Sequence, residues 1–427
     1  MSDGQRRGSS IWRTSFLGFF TAQSVSFVGS EITYVAFPLI AVVNLHASPV
    51  QMGLIAAAQR VPNLLAGLVI GPYVDRVSKR RVLVTADVVR AVLLTAVPLA
   101  ALTGGLGIGV LAAVGFLLGL LTVAADIAYV TYVPRLVPQE QLVLANGRLE
   151  TSYSAAQVGG PGIGALLVST IGAANALLGD AASFLFSAVV TRLLPVTGVP
   201  EPKDDGQVGQ PFWASATQVW RHRALRLLAF DGTGYNFFSG FAVTVTLLFM
   251  VRDLGESGFV YGVVLSVGAI GGVVGGAATT RLVSSWGMPA SIAVSLMVAA
   301  AGEAVVTAAQ GPRWLAAALV AVGQFGIVFG TTVHGVASLS VRQIVVNHDV
   351  LGAVYGVMRT VTRGAMPLGA LLAGWLAVVI GTRATLGVAA VGQLAVAMVC
   401  FRYRYFFESV TPPAHRDPTD LLAGEAP

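Results

Sequence analysis

Charge is what this sequence has least of: 11% of its 427 residues are Asp, Glu, Lys or Arg, against about one quarter in an ordinary soluble domain. So few polar side chains cannot cover a water-facing surface when 55% of residues are apolar and the mean hydropathy is +0.77. The outer surface is therefore expected to face lipid. Cys400 is the single cysteine, which excludes a disulfide framework and a thiolate metal cluster. Lysine occurs only at Lys79 and Lys203, a bias expected of a bacterium with GC-rich codons. There is no Gly-x4-Gly-Lys-Ser/Thr phosphate loop, so the chain is not expected to hydrolyse ATP. No nucleophile with an adjacent base and no metal-ligand spacing stands out, so no cofactor and no metal are expected and an enzyme is not the reading. The net charge of +6 is not gathered into one stripe, which argues against nucleic acid as a partner.

What is there is a succession of apolar windows, each long enough to cross about 30 Å of hydrocarbon. They lie at 14–43, 50–74, 82–103, 106–133, 147–169, 174–196, 224–250, 258–280, 287–309, 313–338, 352–379 and 384–406. Backbone groups in hydrocarbon must bond internally, and runs this long without strict alternation make helices rather than a barrel. The first window lacks a small-residue cleavage site and is expected to be retained. Arg6, Arg7, Arg13, Arg76, Lys79, Arg80, Arg81, Arg135, Arg192, Arg221, Arg223, Arg226, Arg281, Arg342, Arg402 and Arg404 fall at alternate connections, whereas the opposite ones hold only Arg252, Arg313 and Arg383. The positive-inside rule then puts both termini, and the long connection after the sixth span, in the cytoplasm of a bacterial inner-membrane protein.

That connection, Thr197 to about Arg223, carries Pro200, Pro202, Asp204, Asp205 and Gly206 and is the one extended polar segment inside the chain. It divides residues 1–196, an N-terminal six-helix bundle, from 224–406, a C-terminal one, with 197–223 as a cytoplasmic linker and 407–427 as a tail. The halves repeat: Gly71-x4-Arg76 returns as Gly276-x4-Arg281, and Gly164-Ala-Leu-Leu167 returns as Gly369-Ala-Leu-Leu372, at one common offset. The expected fold is an all-α membrane protein of twelve transmembrane helices in two pseudo-symmetric bundles, with a binding cavity between them.

After the second span comes Gly71-Pro-Tyr-Val-Asp75-Arg76-Val-Ser-Lys79-Arg80-Arg81. It resembles the Gly-x-x-x-Asp-Arg-x-Gly-Arg-Arg/Lys signature loop of the major facilitator superfamily, with Ser78 in place of the second glycine. In the fifth span, Gly159-Gly160-Pro161-Gly162-Ile-Gly164 resembles the Gly-Pro-x-x-Gly element of that superfamily's proton-coupled exporters. Ala86-Asp87-Val-Val-Arg90-Ala91, Tyr132-Val-Pro134-Arg135-Leu-Val137 and Asp180-Ala-Ala-Ser183-Phe184 extend the resemblance to the bacterial macrolide-efflux and enterobactin-exporter group. Neither a macrolide nor a siderophore is implied. The resemblance implies gating roles for Gly71, Asp75, Arg76 and Arg80, and a close-packed, kinked helix at Gly160, Pro161 and Gly164.

Ionisable residues inside hydrocarbon cost at least about 2.5 kcal/mol each on insertion scales, so those present are functional candidates. Glu31 and Arg60 lie on the extracellular side of centre in the first two spans, where an ion pair or shared water is possible. A buried glutamate whose proton affinity depends on solvent access and on a movable arginine meets the requirement of a proton carrier; the alternative is that Glu31 simply neutralises Arg60. Asp87, Arg90, Asp126 and Glu150 lie toward the cytoplasmic end and read as a charge network that breaks as the halves rock, with proton carriage by Asp126 as the rival role. Asp180 reads as structural, Glu303 as wet near the outer end, and His334 as an inner-end polar residue. The substrate cavity is expected to be lined by Tyr34, Tyr153, Gln157, Asp231, Asn236, Phe237, Gln324, Phe325, Arg359 and Arg363. Arg359 and Arg363 share a helical face and are placed to hold an anion or to pair with Asp231.

The expectation is a secondary transporter, a proton-coupled antiporter exporting an amphipathic small molecule, with substrate, protons and the bilayer as partners and a monomer as its state. The alternatives are a facilitator or importer, and a transport-silent sensor or scaffold.

Overall fold

In a computed structural model, residues 3–65, 69–137, 142–194, 212–346 and 348–404 are described. Among them every regular element is helical. The helices are α1 (Asp3–Leu39), α2 (Pro49–Arg60), α3 (Pro62–Leu65), α4 (Gly71–Arg76), α5 (Lys79–Leu102), α6 (Ile108–Leu136), α7 (Leu142–Ile171), α8 (Ala173–Leu193), α9 (Phe212–Arg221), α10 (Arg223–Leu248), α11 (Gly258–Ala308), α12 (Arg313–Val345), α13 (His348–Ile380) and α14 (Thr382–Arg402). Among the described residues nine helical segments are long and apolar enough to cross a membrane. One of these, α11, is two passes broken at Gly287, whose φ of 76° only glycine adopts freely. The succession α2–α4 and the glycine-rich α7 supply the remaining passes, giving the twelve expected. Val130, Leu368 and Val391 are more than half exposed on the outer surface, as suits side chains solvated by lipid.

Consecutive passes run in opposite directions, so one end of the molecule carries the 194–212 connection (the linker end) and the other carries the short turns after α1 and α10 (the distal end). Those two turns are built alike. α1 and α10 each finish in a π-turn, Ile40–Asn44 and Phe249–Asp253. It is closed by Leu45 N–H to the Ile40 carbonyl and by Leu254 N–H to that of Phe249, both at 3.0 Å. A left-handed residue follows, His46 or Gly255, and then a serine cap: Ser48 Oγ accepts from Gln51 N–H and Ser257 Oγ from Val260 N–H, both at 3.3 Å. Pro49 at the first position of α2 loses no helical hydrogen bond.

The cores locate the join between the halves. At the distal end one apolar cluster runs through both, from Phe37, Leu39 and Leu177 to Val245, Phe249, Tyr261 and Val264. At the linker end there are two separate clusters: Phe16, Phe19, Val82, Val133 and Leu136 in one half, and Leu225, Leu228, Ile292, Val341 and Val357 in the other. The halves are thus fused distally and parted toward the linker.

The last stretch of the linker is helix α9, which turns Val219 inward, 2% exposed, and Trp213 outward. Alternation of apolar residues at 216 and 219 with Trp213, Thr217 and Trp220 on the other face permits this. Residues 195–211 and the 405–427 tail lie outside the described residues.

Candidate functional site

Two adjoining cavities, of about 630 and about 700 Å³, occupy the space between the halves. Tyr34, Arg90, Asp126 and Gln324 belong to the walls of both. Arg60, Arg359 and Arg363 line the first, and Glu31, Asp87, Glu150, Tyr153, Gln157 and Pro161 line the second. Helices from both halves therefore contribute.

The distal floor of this space is made by backbone contact. On α2, Gly53 faces the Ala370 carbonyl of α13, which a Cβ would approach to 2.5 Å. On α11, Gly262 faces Ala165 and the Pro161 carbonyl of α7 in the same manner. Ala165 and Ala370 are equivalent positions of the repeat seen at Gly164 and Gly369, so the two contacts form a symmetry-related pair. Gly374 adds a contact to Pro49 and Val50, and Arg252 donates from its Nη2 to the Ala47 carbonyl at 2.7 Å across the same seam. Small residues let backbones approach this closely, the usual basis of helix association in lipid. Of the exporter-like element, Pro161 meets the opposite half, while Gly160 packs on Glu31 and Gly164 on Ile32 of α1.

The charges pair in a pattern that spacing alone did not give. Arg359 Nη2 of α13 lies 3.7 Å from Asp126 Oδ2 of α6, an ion pair between the halves. Asp126 is 55% exposed to the cavity, so this pair is screened and weak. Arg90 Nη2 lies 2.5 Å from Asp87 Oδ1, and the guanidinium stands 4.1 Å over the Phe184 ring; both charges are buried. Asp180, also buried, accepts from Thr33 Oγ1 at 2.5 Å and Ser183 Oγ at 3.0 Å. It belongs to the cavity wall, tying α8 to α1.

Several expectations need correction. Among the described residues no hydrogen bond or ion pair joins Glu31 to Arg60; the Arg60 Nη1 donates instead to the Ala56 carbonyl one turn back, at 3.3 Å. Asp231 is not in the cavity wall and does not pair with Arg359: it is fully buried, with His334 Nε2 at 3.3 Å and Cys400 Sγ at 3.6 Å. His334 is thus a partner of Asp231 rather than an isolated polar residue. Asn236 turns back to the Gly232 carbonyl at 2.7 Å. Phe237 packs with Phe238 and Phe241, and Phe325 stacks on Phe329, so these apolar rings fill helix contacts. Glu303 is not wet; it is 1% exposed and belongs to the cavity wall. Glu303 is the wall residue that sequence reasoning undervalues, whereas Asp180, read as structural, does tie α8 to α1 and also lines the wall. The signal available was an acidic residue inside an apolar span.

Around the signature loop, Arg80 donates to the Thr191 carbonyl at 3.1 Å and to that of Arg192, closing the end of α8 in its own half. Lys79 is buried and donates to the Val74 carbonyl at 2.7 Å. Arg76 is exposed. For Gly71 and Asp75 the helix is described, and their surroundings lie outside the described residues.

The family model described as Major Facilitator Superfamily matches residues 19–366. The multidrug efflux pump Tap of Mycolicibacterium fortuitum is 30% identical over 371 residues, covering 84% of this chain and 88% of that protein. A multidrug efflux pump Tap of Mycobacterium tuberculosis is 28% identical over 408 residues, 91% and 93% of the two chains. Among solved structures, the nucleoside transporter NupG superposes with a TM-score of 0.73 at 12% identity, over 92% of this chain and 99% of that one. A bacterial homologue of the iron transporter ferroportin in its inward-facing state superposes with a TM-score of 0.71 at 16% identity, over 91% and 98%.

Proposed function

Because the chain belongs to the major facilitator superfamily, a family of membrane transporters, we propose that it is a proton-coupled antiporter that expels an amphipathic small molecule from the bacterial cytoplasm by alternating access. The observation that carries this reading is the cavity between halves that are joined distally and parted toward the linker. With the linker end cytoplasmic, as the distribution of positive charges favours, this is an inward-facing state open to loading. The mycobacterial efflux pumps, alike over most of their length, support export.

Coupling follows from where Glu31 sits. Its side chain lies against Gly160 of α7, and the next residue, Pro161, makes the contact with Gly262 on the opposite half. A shift of α7 on α11 therefore changes the surroundings of Glu31 directly. The carboxyl takes a proton from one side and releases it to the other, with Arg60 and Asp126 as the charged groups that respond. The Asp126–Arg359 pair breaks and re-forms as the halves rock, and Asp87, Arg90 and Glu150 set the electrostatics beneath it. The signature loop with Gly71, Asp75, Arg76 and Arg80 closes the cytoplasmic side in the opposite state. The protein acts as a monomer, since one chain encloses the whole path.

The test is drug-driven proton movement in everted vesicles carrying wild type or Glu31→Gln. The expected result is proton release coupled to transport in the wild type and none in the variant. Full coupled transport by Glu31→Gln overturns the coupling, and uptake instead of loss from intact cells overturns the direction.

A further inference from the structure

The C-terminal wall of the first cavity holds an acceptor cluster that the transport reading leaves unused. Glu303 of α11 is 1% exposed and neither carboxylate oxygen has a hydrogen-bond partner. Among the described residues no Lys, Arg or His forms an ion pair with it. On the same wall Gln393 Oε1 of α14 and Thr246 Oγ1 of α10 are likewise buried and unpartnered. Tyr235 of α10 lines the same cavity. Three other acids of the walls have partners: Asp87 has Arg90, Asp126 has Arg359 and Asp180 has two hydroxyls.

Buried polar atoms in folded proteins are nearly always paired, and an unpaired one in a cavity wall marks a place where a ligand supplies the partner. A carboxylate and an amide oxygen accept hydrogen bonds, so the missing partner is a donor, and the negative charge selects a positive one. We propose that Glu303, with Gln393 and Thr246, forms a subsite for the ammonium group of a protonated organic amine, whose apolar body occupies the space between the halves. The proposal rests on the exporter reading and narrows its substrate class to amphipathic amines. Both oxygens are covered in this state, so occupancy brings a rotation of the Glu303 side chain into the cavity.

The test uses dansylcadaverine, a fluorescent primary ammonium, and its N-acetyl derivative, which has the same fluorophore and no charge. Both are titrated by fluorescence against the full chain in detergent. Wild type is expected to bind the ammonium at least about tenfold more tightly than the acetylated probe. In Glu303→Gln the ammonium affinity falls about tenfold while the acetylated probe binds as before, which also reports an intact cavity; Glu303→Asp keeps part of the preference. No preference in the wild type overturns the subsite, as does an unchanged preference in Glu303→Gln or an equal loss of both probes. Export of the acetylated probe by cells bearing the wild type separates the two readings. It leaves the exporter standing where the subsite fails, and its absence together with that of dansylcadaverine export counts against the exporter itself.

Discussion

Gly262 of α11 and Ala165 of α7 meet with no space for a methyl group between them, and the contact of Gly53 with Ala370 repeats it on the other side of the molecule. Both lie at the distal end, where the halves share one apolar core. A side chain at either glycine acts first on the closed distal mouth. Gly262→Val is expected to disfavour that closure by about 1–3 kcal/mol, the usual cost of overpacking. Spin labels on the exposed distal positions Gly105 and Trp314 should then report longer separations, with slowed transport.

The Asp126–Arg359 pair is partly exposed, so its loss should scarcely touch stability. Asp126→Asn and Arg359→Gln are each expected to change the unfolding free energy by less than about 1 kcal/mol, while both reduce transport. Exchanging the charges, Asp126→Arg with Arg359→Asp, should restore the balance of states seen by the same labels without restoring proton-driven efflux. Recovery of efflux would remove Asp126 from the coupling machinery and leave it a latch.

Arg90 presents the opposite case. It is buried, holds Asp87 at 2.5 Å and covers the Phe184 ring. Arg90→Ala strands the carboxylate, and a loss of about 3–5 kcal/mol is expected. It should be visible as a lowered melting temperature in detergent. The double replacement Asp87→Leu with Arg90→Leu should regain most of that stability and none of the transport.

Cys400 is fully buried with its thiol directed at Asp231. Maleimide labelling of the folded protein is expected to be negligible and to go to completion in denaturant. Asp231→Ala opens the cluster of Asp231, His334 and Cys400 and should admit the reagent without unfolding, measurable by mass spectrometry.

The twelve passes were legible because each must bury about twenty apolar residues in lipid, a constraint that leaves a mark along the sequence. Gly160 and Pro161 were legible as a packing element, though not which side of α7 faces which neighbour. The pairing of charges was not legible. Asp126 finds Arg359 across the halves, and Asp231 finds His334 rather than an arginine, because partner choice depends on helix rotation and depth. Both quantities are set by packing against neighbours that sequence spacing does not encode. Glu303 looked wet because its span was read alone. Its burial depends on the neighbouring helices, which the span alone does not reveal.

At the distal seam glycine, alanine and backbone carbonyls meet beside the apolar core that the halves share, and Arg252 reaches across to Ala47. A mouth that both closes and opens works as a switch when its two states lie within a few kcal/mol of each other. A ligand that prefers one state by a hundredfold moves that equilibrium by about 2.7 kcal/mol. A modestly selective cargo is therefore enough to throw the switch, and tight binding would gain the cycle nothing.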